Sequence, residues 1–141
     1  MKNENEFNAY LSKEFRKLGP GLKALKTSDK FHIGVSDFLM WYKGRSVAME
    51  VKFIKNFTGR MGRLLTHPFT GPQMTFFKTH DMAGSMGWGL IGCQEERIMV
   101  PIQVSFIPPS GNWETQDFVQ NCKGPVYDFN EIECLVHHLF L

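Results

Sequence analysis

Apolar residues fill odd and even positions alike from Phe31 to Tyr42, and again from Arg45 to Ile54. Strands covered on both faces of a sheet carry that pattern. Lys43-Gly44 between them predicts a tight hairpin turn. A helical period precedes the hairpin: Phe7, Tyr10, Leu11, Phe15 and Leu18 predict a helix over 5–18, ended by Gly19-Pro20-Gly21. Residues 22–30 form a basic segment compatible with a short strand or a loop. Residues 55–71, with Gly59, Gly62 and Pro68, read as a long loop, a length that usually signals function or mobility. Pro72 opens a helix running to Met82, with Gln73 in its first turn. Beyond the break at Gly84 to Gly87, residues 88–93 read as a strand, Glu95-Glu96 as a turn and residues 97–106 as a second strand. Pro101 favours a sheet edge or a bulge there. Residues 108–112 form a loop. The last element is a helix over 129–140, with Asp128 and Glu131 spaced as a capping box and Ile132, Leu135, Val136, Leu139 and Phe140 on its stripe. Helix, hairpin, helix, strand, strand, helix predicts an α/β sandwich around a mixed sheet.

The hairpin carries three charges in its apolar interior: Asp37, Glu50 and Lys52. A two-residue turn pairs Tyr42 with Arg45 and, stepping outward, Asp37 with Glu50. Side chains alternate along a strand, so Lys52 shares the face of both acids. Opposed β-carbons lie about 4.5–5.5 Å apart. Two carboxylates so close in a dry place repel and lose their hydration, an unfavourable arrangement unless something compensates. A hard divalent cation does so, because carboxylate oxygens are its preferred ligands. The first helix adds an anomaly. Glu14 falls on its apolar stripe, with Glu6 a weaker candidate at the helix start; the competing reading puts Glu14 at the stripe's edge, its carboxylate reaching water.

Composition leaves this picture intact. The 141 residues suit one domain, 43% hydrophobic and 21% charged, with thirteen Phe, eight Met and three Trp for a bulky core. A net charge of +2 neither demands nor excludes a nucleic acid. Its distribution says more: Lys23, Lys26 and Lys30 lie ahead of the hairpin, and Lys55, Arg60 and Arg63 follow it. Three cysteines without a CxxC pattern predict reduced thiols in a cytoplasm. The polar start MKNENEF resembles no export signal, and no apolar run is long enough to span a membrane.

The pattern Asp-x12-Glu-x-Lys has a mechanism. Asp37 and Glu50 are the candidate ligands of Mg²⁺, with Mn²⁺ as a substitute, and the carbonyl of Val51 is a plausible third. Such a metal lowers the pKa of a bound water and stabilises charge on a phosphate oxygen. Lys52 is placed to orient the water or to neutralise developing charge. Glu14 is a further candidate ligand or water-positioning group. The competing reading is a structural ion pair with one stray acid, which is costly to bury. His32 and His67 are read as structural residues or phosphate contacts. His137 and His138, adjacent on one helix and so facing different ways, are read as surface or packing residues.

This constellation resembles the PD-(D/E)xK nuclease superfamily, with Val35-Ser36-Asp37 as its first motif (Ser in place of Pro) and Glu50-Val51-Lys52 as its second. The runs HIGVSDFLMWYKGRSVAMEVKF, LTHPFTGPQMTFF and GSMGWGLIG resemble RecU-type Holliday-junction resolvases and the related VRR-NUC nucleases. In those families a Gln opens the helix after the ExK strand, as Gln73 does, and an acid on the first helix is common, as with Glu14. The resemblance spans about residues 6–104 and leaves 107–141 without a counterpart. It implies a restriction-endonuclease-like αβββα core in a single nuclease domain, and catalytic roles for Glu14, Asp37, Glu50, Lys52 and Gln73. It further implies Mg²⁺-dependent cleavage of branched DNA by a homodimer, with Lys55, Arg60 and Arg63 as an arm on phosphates and Lys23, Lys26 and Lys30 as further DNA contacts. The alternatives are a nuclease of the same fold acting on flaps, single strands or duplex, and a DNA-binding module without turnover. The compact size suits a phage or mobile-element protein, expected in the cytoplasm of a bacterial or phage-infected host cell.

Overall fold

The structure, a computed structural model, describes residues 1–27, 36–57, 69–84, 86–107, 113–116, 118 and 125–141. The expected sandwich is present: a six-stranded mixed sheet between two helical layers. The elements in chain order are α1 (Glu4–Lys17), β1 (Leu22–Lys26), β2 (Phe38–Tyr42), β3 (Arg45–Ile54), α2 (Gly71–Met82), β4 (Met86–Cys93), β5 (Ile98–Gln103), a 3-10 turn (Val104–Phe106), β6 (Tyr127–Asp128) and α3 (Ile132–Leu139). The strands lie side by side in sequence order. Every neighbour pair is antiparallel except β3 and β4, which run parallel across the α2 crossover.

The hairpin register is the one the Lys-Gly turn predicts. Tyr42 pairs with Arg45 and Phe38 with Met49. Lys43 and Gly44 both have positive φ, 49° and 78°, the backbone of the tight turn whose twist matches antiparallel strands. Alternation then divides the core. Val47, Met49, Val51 and Phe53 of β3 join Trp88 and Leu90 of β4 under α1 and α3. Ile54, Ile91 and Cys93 point the other way, toward Met74 and Phe77 of α2. Gly92 lets α1 settle on the sheet: a β-carbon there meets the Phe7 ring at 2.5 Å.

Several boundaries differ from the sequence reading. Residues 22–26 of the basic segment are a strand, β1. Within the described residues the strand expected from Phe31 begins at Phe38; the bond from Thr27 N–H to the Asp37 carbonyl at 2.9 Å carries the β1–β2 pairing one step further, and Thr27 Oγ1 donates to the Ser36 carbonyl. The strand expected over 97–106 stops at Gln103 and tightens into the 3-10 turn. Pro101 pairs with Leu90 but lies beyond the short β5–β6 pairing of Ile98 and Met99, where β5 is an edge. The last helix starts at Ile132, later than expected. Residues 127–128 form β6 instead, and Glu131 turns its carboxylate back to the Asp128 N–H at 2.8 Å. His137 packs against Tyr42, and His138 against Trp88 and Tyr127, the packing roles expected of them. Among the described residues Cys93 and Cys134 are free thiols, and no helix is long and apolar enough to cross a membrane.

Candidate active site

The ladder between β2 and β3 ends at Phe38 and Met49, yet β3 runs on to Ile54. The site lies where β2 leaves. Asp37, the first residue past the ladder, turns its carboxylate onto β3, and its Oδ2 accepts the Val51 N–H at 2.8 Å. Glu50 and Lys52, alternate residues of β3, point into the α2 layer. Both are buried, 4% and 7% exposed. Lys52 Nζ stands 3.8 Å from Glu50 Oε1.

The start of α2 closes the site from above. Thr70 and Gln73 form a reciprocal cap: the Thr70 N–H donates to Gln73 Oε1 at 2.9 Å, and the Gln73 N–H donates to Thr70 Oγ1 at 3.3 Å. That cap commits one end of the Gln73 amide. The other end, Nε2, donates to Glu50 Oε1 at 2.6 Å. Gln73 therefore anchors the helix and fixes the carboxylate with the same side chain. Phe69, just before the cap, lies 5.6 Å from Lys52 Nζ by its ring centroid, within cation–π range. Its ring fits only because Gly89, the β4 partner of Glu50, has no side chain. A β-carbon at Gly89 would sit 2.7 Å from Phe69 Cζ.

Electrostatics make Glu50 the unusual group. Burial, then the neighbouring Asp37 charge, push its carboxyl up to about 9, while Lys52 pulls the other way. Its second oxygen, Oε2, is buried and has no hydrogen-bond partner. A buried acceptor without a partner costs free energy. Among the described residues no three His, Cys, Asp or Glu side chains converge as a metal cage. The donor set is two carboxylates, with backbone carbonyls nearby. That suits Mg²⁺, which commonly takes one or two carboxylates and keeps several waters, and the unpartnered Oε2 is an oxygen such an ion would satisfy.

The remaining predicted residues divide. Asp37, Glu50, Lys52 and Gln73 come together. Glu14 does not join them: it lies on α1, in the layer behind the sheet, and its carboxylate pairs with Lys17 at 2.9 Å. The α1 acid whose charge acts on Glu50 is Glu4, in the first turn, ten residues and about 15 Å of helix away from Glu14. The sequence reading passed over Glu4 because it started the helix at residue 5, although Glu4 precedes Phe7 by three and Leu11 by seven and so lies on the buried face. Lys23 and Lys26 are exposed on β1 but diverge. Lys23 pairs with Trp41 and shares the face of Asp37, whereas Lys26 pairs with Phe38 and sides with the α1 layer. Lys55 is exposed just past β3, where its carbonyl accepts the Glu95 N–H at 2.9 Å. Lys30, Arg60, Arg63, His32 and His67 lie outside the described residues. Phe69, Thr70 and Gly89 were not anticipated. Only Thr70 left a signal, the Thr-x-x-Gln spacing of a capping box.

No protein-family model matches this sequence, and no curated protein matches it. Among solved structures the chain is similar to Archaeoglobus fulgidus Hjc, a Holliday junction resolvase from an archaeal hyperthermophile. The TM-score is 0.60 at 13% identity, over 92% of this chain and 98% of that one. The fold is thus α/β and restriction-endonuclease-like, with the mixed sheet flanked by helices as in that resolvase.

Proposed function

We propose that the protein is a divalent-metal-dependent DNA endonuclease of the PD-(D/E)xK kind, akin to RecU-type resolvases and VRR-NUC nucleases, that cleaves phosphodiester bonds in branched DNA. One observation carries the reading. Asp37, Glu50 and Lys52 come together at the end of a ladder, where two carboxyl groups, hydrogen-bonded to each other, stand beside a single lysine and Glu50 is buried. A merely structural ion pair does not explain the second carboxylate, whose charge disfavours ionised Glu50. Asp37 and Glu50, with the Val51 carbonyl, would hold the Mg²⁺ or Mn²⁺ ion, which when bound activates water and stabilises charge on a phosphate oxygen. Gln73 holds the Glu50 carboxylate in one orientation. Lys52, kept close by Glu50 and the Phe69 ring, neutralises the negative charge that develops on the phosphate. The branched substrate draws support from the fold shared with a junction resolvase. The homodimer follows from the task, since two symmetric nicks across a four-way junction need two sites.

The test compares the purified protein and its Lys52→Ala variant on a four-way junction, a flap and a linear duplex in Mg²⁺. The expected result is cleavage of the junction in preference to the others by the wild type, with binding but no cleavage by the variant. Equal cleavage of all three substrates refutes the branched-DNA assignment. Undiminished cleavage by Lys52→Ala refutes the site.

A further inference from the structure

Among the described residues, the face that carries Asp37 opens to solvent toward the β1–β2 edge, at Trp41 and Leu25, whereas on β3 Ala48 is fully buried. β1, β2 and β3 pair in register, so side chains on that face form successive rungs. Lys23, Trp41 and Ser46 make one, and Leu25, Leu39 and Ala48 the next. Asp37 and Glu50 occupy the position after that. Trp41 is 43% exposed and Leu25 49%, although their strand neighbours Met40 and Leu22 are buried. Two large apolar side chains are therefore held at the surface, beside a lysine, on the face of the candidate site. Four residues of extended chain set Trp41 about 14 Å from Asp37, or roughly four base steps of 3.4 Å.

We infer that this open face is a nucleobase platform. On it the Trp41 indole stacks on a base exposed where DNA arms diverge, and Lys23 pairs with an adjacent phosphate. The inference rests on the nuclease reading above and adds to it what recognises a branch. The chemistry fits a nucleic acid better than a second copy of the chain. At these exposures Trp41 and Leu25 offer roughly 200 Å² of surface, against the ~800 Å² per partner of a standard protein interface. A ring beside a cation matches a base beside its phosphate, and stacking needs no particular base sequence. Bases inside a continuous duplex are covered by their neighbours and are not available to the indole. Those at a branch point are. The platform therefore favours branched over linear DNA.

The experiment measures affinity in EDTA, where no cleavage occurs, for a four-way junction and a linear duplex of equal length at one salt concentration. Wild type, Trp41→Phe, Trp41→Ala and Lys23→Ala are compared, with oligomeric state followed by light scattering. The platform predicts a roughly tenfold loss of junction affinity for Trp41→Ala, little change for Trp41→Phe, and unchanged duplex affinity for both. Lys23→Ala is expected to weaken both substrates and to lower the salt slope by about one. Junction affinity unchanged in Trp41→Ala overturns the inference. So does an equal loss on junction and duplex, or conversion of a dimer to a monomer, which makes the face an interface between copies. Because binding is read without metal, these outcomes are independent of whether Lys52→Ala abolishes cleavage.

Discussion

At the scale of the residue, Glu50 stands against the interests of the fold. Its carboxyl is driven up to about 9 by burial and by the Asp37 charge, whereas an unfolded glutamate ionises near 4.5. The folded protein thus holds a proton that the unfolded chain gives up across that window. The stability linked to it is fully present below about pH 4.5 and is lost as pH rises toward 9. In metal-free protein, Glu50→Gln is expected to flatten this decline and to raise the urea midpoint at pH 8, while abolishing cleavage. Parallel stability profiles for the two proteins between pH 5 and 9 would contradict the burial argument. A second residue-scale expectation separates the two acids of α1. Glu4, whose charge reaches Glu50, should lower the cleavage rate when changed to Gln. Glu14, tied to Lys17 behind the sheet, should leave the rate within about twofold. A greater loss for Glu14→Gln reverses the assignment.

At the scale of the element, the site depends on where pieces start and stop. Gly89 of β4 and Phe69 before α2 fit as a pair: one lacks the β-carbon that the ring of the other would strike at 2.7 Å. Gly89→Ala should displace the ring from Lys52 and cost roughly 1–3 kcal/mol as overpacking. Thermal melts and cleavage rates should both fall, and Phe69→Leu in the same chain should restore part of the stability. Additive losses in the double variant would show that the two positions act separately. These contacts were closed to a sequence reading, because a glycine in a strand does not reveal which ring lies on it. The hairpin was open to one. The two-residue turn set the register, and the register placed Asp37 beside Glu50 and Lys52. What escaped was the end of the ladder. Asp37 leaves the strand to accept the Val51 N–H, a side chain replacing a backbone partner. β6 escaped, and β1 was left open between strand and loop, for another reason: each is short and lies at a sheet edge, where burial leaves a weak pattern.

At the scale of the whole molecule, the fold is shared with a junction resolvase at 13% identity. That likeness therefore conveys the architecture alone. The sandwich itself was legible, since two apolar faces per strand require a helical layer on each side. The side of the sheet on which each helix lies was not, and Glu14 shows the consequence. It lies at the edge of the apolar stripe of α1, partly exposed and paired with Lys17, and that stripe packs on the face away from Glu50. The same partition gives Lys23 to the site's face and Lys26 to the other. Which charges share the face of the candidate site is thus a matter of sheet register more than of net charge.

The central claim is that Asp37, Glu50 and Lys52 form a phosphodiester-cleaving centre. Single-turnover cleavage of a labelled four-way junction in Mg²⁺, set beside the dissociation constant for the same junction in EDTA, tests it most directly. Lys52→Ala is predicted to bind within about twofold of wild type and to cleave at least ~100-fold more slowly, the scale of losing one charge-stabilising group. Cleavage by Lys52→Ala near the wild-type rate, or a wild type that cuts no DNA in Mg²⁺ or Mn²⁺, would contradict the account.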